Sequence, residues 1–342
     1  MASPYTMCPM GLRGLTALAL GLLLPLSACT EDTPASPDTQ SGDTVEGRVE
    51  GLEVGKSVKV VTPAGRLTVA FADPVTSLEK DQTTDLTARN APEGGAFVPV
   101  VWSFDDKVFG QVTRVFGDRQ PLEVKLTVDG KKYSLSPPSA GPEKTAEYVA
   151  VESSGDDVEL DVTYDEFTQT LDAETGKLDK GVAAGLYDLT DAKVKIKNCP
   201  IKKWLTNPLQ FVQYECKYTA AVATPYVVNE WAKPGHTWLA INLATNLALF
   251  ATGSFGEAIA NYDVVDVTDL TTIDGDKPLG TLQENENEGA SNGILIFDIK
   301  GDLPKTMDVL RQYELTLSGA AGEVEAPQRR SVKIGGELKL TY

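Results

Sequence analysis

The chain has 342 residues, a formal net charge of −18 at pH 7 and an apolar fraction of 42%, which is ordinary for a folded protein. A protein this acidic repels phosphate backbones, and no dense cluster of lysine and arginine offsets the repulsion, so the composition argues against nucleic-acid binding. The length corresponds to about two domains.

The N-terminus combines one positive charge with an apolar run, which predicts a signal peptide. Arg13 precedes the apolar residues 15–26, and this run is too short for a membrane-spanning helix. The run ends in Leu26-Ser27-Ala28-Cys29, which resembles the bacterial lipobox, where the cysteine is lipidated and becomes the first mature residue. The resemblance implies a signal peptide over 1–28 and a lipid on Cys29 that holds the protein at the extracytoplasmic face of the cell membrane. Ordinary cleavage after Ala28 is the alternative.

Residues 29–45 follow with almost no apolar side chains. A segment of this composition cannot bury enough apolar surface to offset the entropy lost on ordering. We therefore predict a disordered tether over 29–45, which would hold the folded part away from the membrane.

Residues 46–136 alternate apolar and polar side chains in short runs that predict β-strands at 57–61, 67–71, 97–104, 122–128 and 132–135. Pro99 lies inside one run and indicates an edge strand or a bulge, because proline donates no backbone hydrogen bond. Asp129-Gly130 is typical of a type I′ hairpin turn. We predict a β-sandwich domain over 46–136 and a proline-rich linker over 137–144.

Residues 145–342 continue the same pattern and predict a second, larger β-sandwich domain. Its predicted strands are 158–164, 192–197, 211–218, 238–244, 294–299, 312–317 and 338–342. Residues 246–261 fit either a short helix or a loop. The whole chain is therefore predicted to be all-β.

The four cysteines have different predicted roles. Cys8 lies in the predicted signal peptide and Cys29 carries the predicted lipid, which leaves Cys199 and Cys216 as an even pair in an oxidising compartment. We predict that these two form a disulfide, worth about 3 kcal/mol in the chain-entropy model. A metal site is the alternative, but two thiols without a nearby histidine do not supply its ligands.

Three segments resemble the telokin-like, immunoglobulin-like domains of bacterial surface lipoproteins, whose function is unassigned. Residues 91–102 and 234–243 each place a Pro/Gly turn before an aromatic-led strand, and residues 293–304 hold an apolar-Phe-Asp strand followed by proline. The resemblance implies two immunoglobulin-like β-sandwiches in tandem, with an insertion over 178–230 in the second. It supplies no catalytic or ligand-binding residue.

The sequence predicts neither a catalytic residue nor a cofactor. His236 is the one histidine, and no nucleophile elbow accompanies it. Residues 172–179, and residues 274–276 with 284–288, place acidic side chains around turns, but neither set completes a calcium-binding loop. Trp204 and Trp231 lie in irregular stretches and are candidates for exposed contact.

We therefore predict a non-enzymatic binding or interaction module at the cell envelope, which contacts an envelope protein or polymer through loops or sheet edges. Two alternatives stay open. A secreted hydrolase of carbohydrate or cell wall would use two of the many carboxylates. A structural spacer would be favoured if the two domains shared a large apolar interface.

Overall fold

A computed structural model describes residues 39–191, 195–205, 210–254, 258–287, 289–323 and 326–342. The predicted signal peptide 1–28, Cys29 and residues 30–38 of the predicted tether lie outside the described residues. Residues 39–45 were predicted as the end of the tether, but they are folded against the first sheet. Gly42 donates a backbone hydrogen bond of 2.8 Å to the Ala150 carbonyl, and a strand begins at Thr44. Pairing with a neighbouring strand orders this polar segment.

The first part of the chain forms a β-sandwich. Its strands are β1 (Thr44–Gly47), β2 (Val58–Thr62), β3 (Gly65–Phe71), β4 (Ser77–Leu78), β5 (Arg89–Asn90), β6 (Ala96–Asp105), β7 (Leu122–Val128), β8 (Lys131–Leu135), β9 (Gly141–Val151), β10 (Val158–Tyr164), β11 (Phe167–Asp172) and β12 (Leu178–Asp179). The 3₁₀ helix η1 (Gly110–Val115) lies between β6 and β7, and the 3₁₀ helix η2 (Gly181–Leu189) follows β12.

These strands build two five-stranded antiparallel sheets, in the orders β1-β9-β6-β3-β2 and β12-β11-β10-β7-β8, with β4 and β5 paired separately. Apolar side chains from both sheets, such as Val100 and Leu160, belong to one buried cluster. Period-2 alternation produces this arrangement, because it puts every second side chain on the face that meets the other sheet. The prediction of an all-β chain is confirmed.

Strand β9 begins inside residues 137–144, where the sequence predicts a linker. Strand β6 pairs with β9, which begins at Gly141, and β7 pairs with β10. Both sheets therefore combine strands from the two predicted domains, and the sandwich extends to Leu189 at the end of η2. The proline-rich residues before β9 connect the two sheets of one sandwich, and such a connection uses the same turn residues as a linker.

Two local predictions have opposite outcomes. The Asp129-Gly130 turn is confirmed, because both residues have positive φ, 47° and 81°, and Val128 pairs with Lys131. Pro99, in contrast, lies in β6, which is flanked by β9 and β3 in continuous register, so the prediction of an edge strand or a bulge is wrong. The pairing of β6 with β3 begins only at Val100. Pro99 thus lies just outside this ladder, where its carbonyl accepts a bond of 3.3 Å from the Ala72 N–H, and its missing N–H interrupts no registered pair of β3 and β6.

The second part forms a curled antiparallel sheet. Its strands are β13 (Ile196–Asn198), β14 (Gln210–Thr219), β15 (Val222–Thr224), β16 (Tyr226–Val227), β17 (Glu230–Trp231), β18 (His236–Ser254), β19 (Ala258–Asp269), β20 (Gly280–Asn287), β21 (Ala290–Lys300), β22 (Thr306–Ala321) and β23 (Arg329–Lys339), with the 3₁₀ helix η3 (Ile201–Lys203) after β13. Nine of these strands form the curled sheet. Six follow the order β13-β14-β18-β19-β22-β23, and β15, β20 and β21 pair beside this path, whereas, among the described residues, β16 and β17 pair only with each other. The sheet covers a second buried cluster.

Residues 246–261 contain no helix among those described; they end β18 and begin β19. Phe250 pairs with Tyr262 in this hairpin, and both side chains are buried. The prediction of a short helix or a loop is therefore wrong. Gly253 and the short side chains around it obscure the alternation that would have identified the strands. Across the described part of the chain, no helix is both long and apolar enough to cross a membrane.

A small hairpin, β16–β17 (residues 226–231), joins the curled sheet to the sandwich, and we call it the clasp hairpin. Tyr226 is fully buried, and its ring packs edge-on against Tyr164 of the sandwich at a centroid distance of 5.6 Å. Its hydroxyl donates to Asp165 Oδ2 at 2.8 Å, and Trp231 Nε1 donates to the Asp165 carbonyl at 3.0 Å. Residues of the curled sheet such as Ile294 belong to the same buried cluster as the sandwich core. The two parts therefore meet in this shared cluster, and the curled sheet has its own second cluster besides.

Candidate functional site

Cys199 and Cys216 form the predicted disulfide. Cys199 directly follows β13 and Cys216 lies in β14, with 5.3 Å between their Cα atoms. The Cys199 N–H also donates to the Cys216 carbonyl at 3.0 Å. The bond fixes the start of η3 against the curled sheet, and the closed loop contributes about 3 kcal/mol in the chain-entropy model.

A groove lies beside this disulfide, between the first and the last strand of the curled sheet. We call it the Trp204 groove; its volume is about 700 Å³, within the range of small-ligand sites. Its lining combines apolar with polar and charged residues and consists of Asn198, Pro200, Lys203, Trp204, Tyr218, Gly335, Gly336, Glu337, Leu338 and Lys339.

Two adjacent glycines of β23 determine where Trp204 lies. A Cβ on Gly336 would collide with Cδ1 and Nε1 of the indole, so the ring packs directly on the strand backbone. A Cβ on Gly335 would collide with the carbonyl oxygen of Val309 in the neighbouring strand. Gly335 therefore permits the pairing of β22 with β23, and Gly336 gives Trp204 its position in the groove.

The walls of the groove are held by backbone and side-chain hydrogen bonds. The Trp204 N–H donates to the Ile201 carbonyl at 2.8 Å, which closes the turn that carries the indole. On the other side, Lys197 Nζ donates to Thr341 Oγ1 at 2.9 Å, and the Ala221 N–H donates to the Thr341 carbonyl at 2.9 Å. These bonds keep the end of the chain beside β13 and β15 and so fix the width of the groove.

The groove presents mainly hydrogen-bond donors. Lys203 and Lys339 are exposed, and neither forms an ion pair with another residue of the described part of the chain. Trp204 Nε1 likewise has no hydrogen-bond partner there. Glu337 is the one acidic residue of the lining, and it lies opposite Asp308 of β22. The protein carries a net charge of −18. The two unpaired ammonium groups give the groove a positive charge that is opposite in sign to the charge of the whole protein.

His236 lies elsewhere, at the start of β18. Its Nδ1 is 2.7 Å from Asp298 Oδ1 of β21, and the two side chains are 24% and 26% exposed. Asp298 lines a second pocket of about 460 Å³ together with Asp274, Asp276 and Asp302. Within the described residues, no group of three or more His, Cys, Asp or Glu side chains could hold a metal ion.

Residues 172–179 and 274–276, which were weighed as parts of calcium loops, contain turns, whereas residues 284–287 lie in β20. Asp172 accepts a hydrogen bond of 2.9 Å from the Thr175 N–H, and this bond holds the pKa of Asp172 below its usual value. Asp274 and Gly275 have positive φ, 51° and 89°, in a turn that joins Ile273 to Asp276.

The two tryptophans singled out from the sequence have different positions. Trp204 lines the groove, whereas Trp231 packs against Phe167 and Tyr226 in the clasp hairpin and anchors the two parts together. Sequence reasoning missed Gly335 and Gly336 as part of a site. Two glycines in succession inside a strand pattern are the available signal, since glycine there often marks a close approach to the backbone.

A scan against models of known protein families, a search of curated proteins and a search of solved structures each found no match to this chain. Its function therefore has to be inferred from its own residues.

Proposed function

We propose that this chain is a non-enzymatic binding module that is anchored by a lipid on Cys29 at the extracytoplasmic face of the cell membrane and holds an envelope polymer in the Trp204 groove. The observation that carries the proposal is a partly buried indole with a free N–H beside two unpaired lysines, on a sheet fixed by a disulfide. An aromatic platform with a few polar groups on a rigid scaffold is typical of ligand sites.

The resemblance to immunoglobulin-like surface lipoproteins supports the same proposal. The two antiparallel sheets of residues 44–189 pack face to face in one β-sandwich, where the resemblance implies two such sandwiches in tandem. Fold alone does not determine function, so the proposal depends on the groove and on the anchor, and each is tested separately below.

The anchor predicts a change in localisation. Replacing Cys29 with alanine should move the protein from the membrane fraction to the soluble fraction, because each buried CH₂ of an acyl chain contributes about 0.8 kcal/mol to membrane binding. Fractionation and immunoblotting in the native host measure this directly. Cys8→Ala is the matched control, since Cys8 lies in the predicted signal peptide and its loss should leave the protein in the membrane fraction. Retention of the Cys29→Ala variant would refute the anchor.

The groove predicts polymer binding that depends on Trp204. The purified ectodomain should bind at least one polymer from a panel of soluble neutral and acidic polysaccharides and peptidoglycan fragments. Trp204→Ala should weaken that binding at least tenfold, about 1.4 kcal/mol, because the stacking platform is lost. Gly336→Ala should do the same while keeping the indole, since the new Cβ displaces the ring. Calorimetry gives the dissociation constants.

Gly319→Ala is the control for the glycine variant, because Gly319 lies in β22 and a Cβ there meets no atom within 4 Å. Binding that survives Trp204→Ala, or no binding to any polymer by a correctly folded ectodomain, contradicts the groove.

Two other functions have a supporting observation each. The shared core of sandwich and curled sheet favours a structural spacer, which would bind none of the polymers. The His236–Asp298 pair beside acidic residues favours a hydrolase, because a carboxylate that orients an imidazole is a common general-base arrangement. Cleavage of a probe polymer that is lost in Asp298→Asn would establish the hydrolase.

A further inference from the structure

We infer that the ligand of the Trp204 groove is an acidic glycan, whose sugar ring stacks on the Trp204 indole while its anionic groups contact Lys203 and Lys339. This inference rests on the proposed function and narrows it from a polymer to one chemical class. It follows from the kinds of hydrogen-bonding groups in the lining and from their placement on opposite walls.

The Trp204 groove has more hydrogen-bond donors than acceptors among its unpaired side chains. Lys203 and Lys339 offer ammonium groups without ion-pair partners in the described residues, and Trp204 offers an unpartnered indole N–H. Ammonium groups have no acceptor capacity, so a ligand that contacts them has to supply acceptors, and anionic oxygens form the stronger, charge-assisted bonds. A neutral ligand would leave both charges unmatched.

The two lysines lie on different sides of the Trp204 indole. Lys203 precedes Trp204 on the η3 side of the groove, whereas Lys339 ends β23 on the opposite side. The indole lies between these walls, on Gly336. A small anion would leave the ring face uncovered, because it has no flat apolar face to stack on the indole. A chain of charged sugar rings presents flat faces to the indole and anionic groups to either side, and so engages all three side chains.

Nucleic acids are polyanions too, but they do not fit this protein. The net charge of −18 repels an extended nucleic acid over its whole length, and two lysines cannot compensate for that repulsion. A glycan bound through a few sugar units places its charge only at the groove. Because the attraction is electrostatic and local, its affinity should fall as the salt concentration rises.

The test compares acidic probes with neutral probes on the same sugar backbones, with EDTA present so that no bridging divalent cation contributes. The pairs are oligogalacturonate with its fully methyl-esterified form, and dextran sulfate with dextran. We expect the wild-type ectodomain to bind at least one acidic member at least tenfold more tightly than its neutral counterpart. Raising the salt from 50 to 300 mM should weaken that binding severalfold and leave neutral binding unchanged.

The variants Lys203→Gln and Lys339→Gln should each weaken acidic binding about fivefold, and the double variant should remove the preference for the acidic member. Lys144→Gln is the matched control, since Lys144 is exposed on β9, away from the groove lining. Equal binding of both members of each pair, still dependent on Trp204, would overturn the acidic assignment and leave the proposed function intact. Failure of every polymer to bind the folded protein would overturn both. Acidic binding that persists in the double lysine variant would also overturn the inference.

Discussion

Replacing Asp269 with asparagine should lower the free energy of unfolding by about 3–5 kcal/mol, the range for removing one partner of a buried ion pair. Arg311 is 2% exposed inside the curled sheet, and its Nη1 forms an ion pair with Asp269 Oδ2 at the end of β19. Among the described residues, the guanidinium forms one other hydrogen bond, of 3.3 Å from Nε to Thr245 Oγ1. Without the carboxylate, a full positive charge stays buried and uncompensated.

Asparagine is the informative substitution because it removes the charge and keeps an oxygen for the Thr271 N–H, which donates to Asp269 Oδ1 at 2.8 Å. Urea unfolding followed by circular dichroism measures the change. Asp266→Asn is the control, since Asp266 is exposed on the same strand and should change stability by less than about 0.5 kcal/mol.

A paired substitution separates the charge from the shape of the site. Asp269→Asn combined with Arg311→Met leaves no buried charge, and the double variant should regain most of the stability lost by the single one. A loss in Asp269→Asn no larger than in the Asp266→Asn control would mean that the guanidinium finds its compensation elsewhere.

The buried polar residues of the curled sheet also explain which strands could be predicted from the sequence. Strands β7 and β10 alternate strictly because one face packs in the sandwich and the other meets solvent, and both were predicted at their observed bounds. Strand β18 was predicted to end at Ala244, yet it continues to Ser254. Thr245 is buried, where it accepts the bond from Arg311. A polar residue on the inner face breaks the alternation that identifies a strand.

The candidate site was predictable only where its residues are close in sequence. The disulfide and Trp204 as a contact candidate were predicted from short segments around Cys199 and Trp204. The groove itself needs β23 to lie beside η3, more than a hundred residues earlier in the chain, and this depends on how the sheet curls. Local periodicity carries no information about that closure, so Lys339 and its glycines could not be assigned to the site in advance.

Replacing Tyr226 with alanine should lower the free energy of unfolding by about 3–5 kcal/mol, the usual cost of deleting a buried aromatic ring. Tyr226 is fully buried and packs edge-on against Tyr164 and Trp231 at centroid distances of 5.6 and 4.8 Å. Burial, together with the hydrogen bond to Asp165, raises the pKa of Tyr226 above its usual value, and the protonated hydroxyl is the donor of that bond.

This substitution should also change how the protein unfolds, because the clasp hairpin is where the sandwich and the curled sheet share their core. Calorimetry of the wild type should show one cooperative transition, and Tyr226→Ala should separate it into two as the parts uncouple. Tyr226→Phe keeps the ring contacts and loses one hydrogen bond, so it should cost only about 1–2 kcal/mol and keep a single transition. A single transition in Tyr226→Ala would show that the remaining apolar contacts, such as those of Ile294, couple the parts without the clasp.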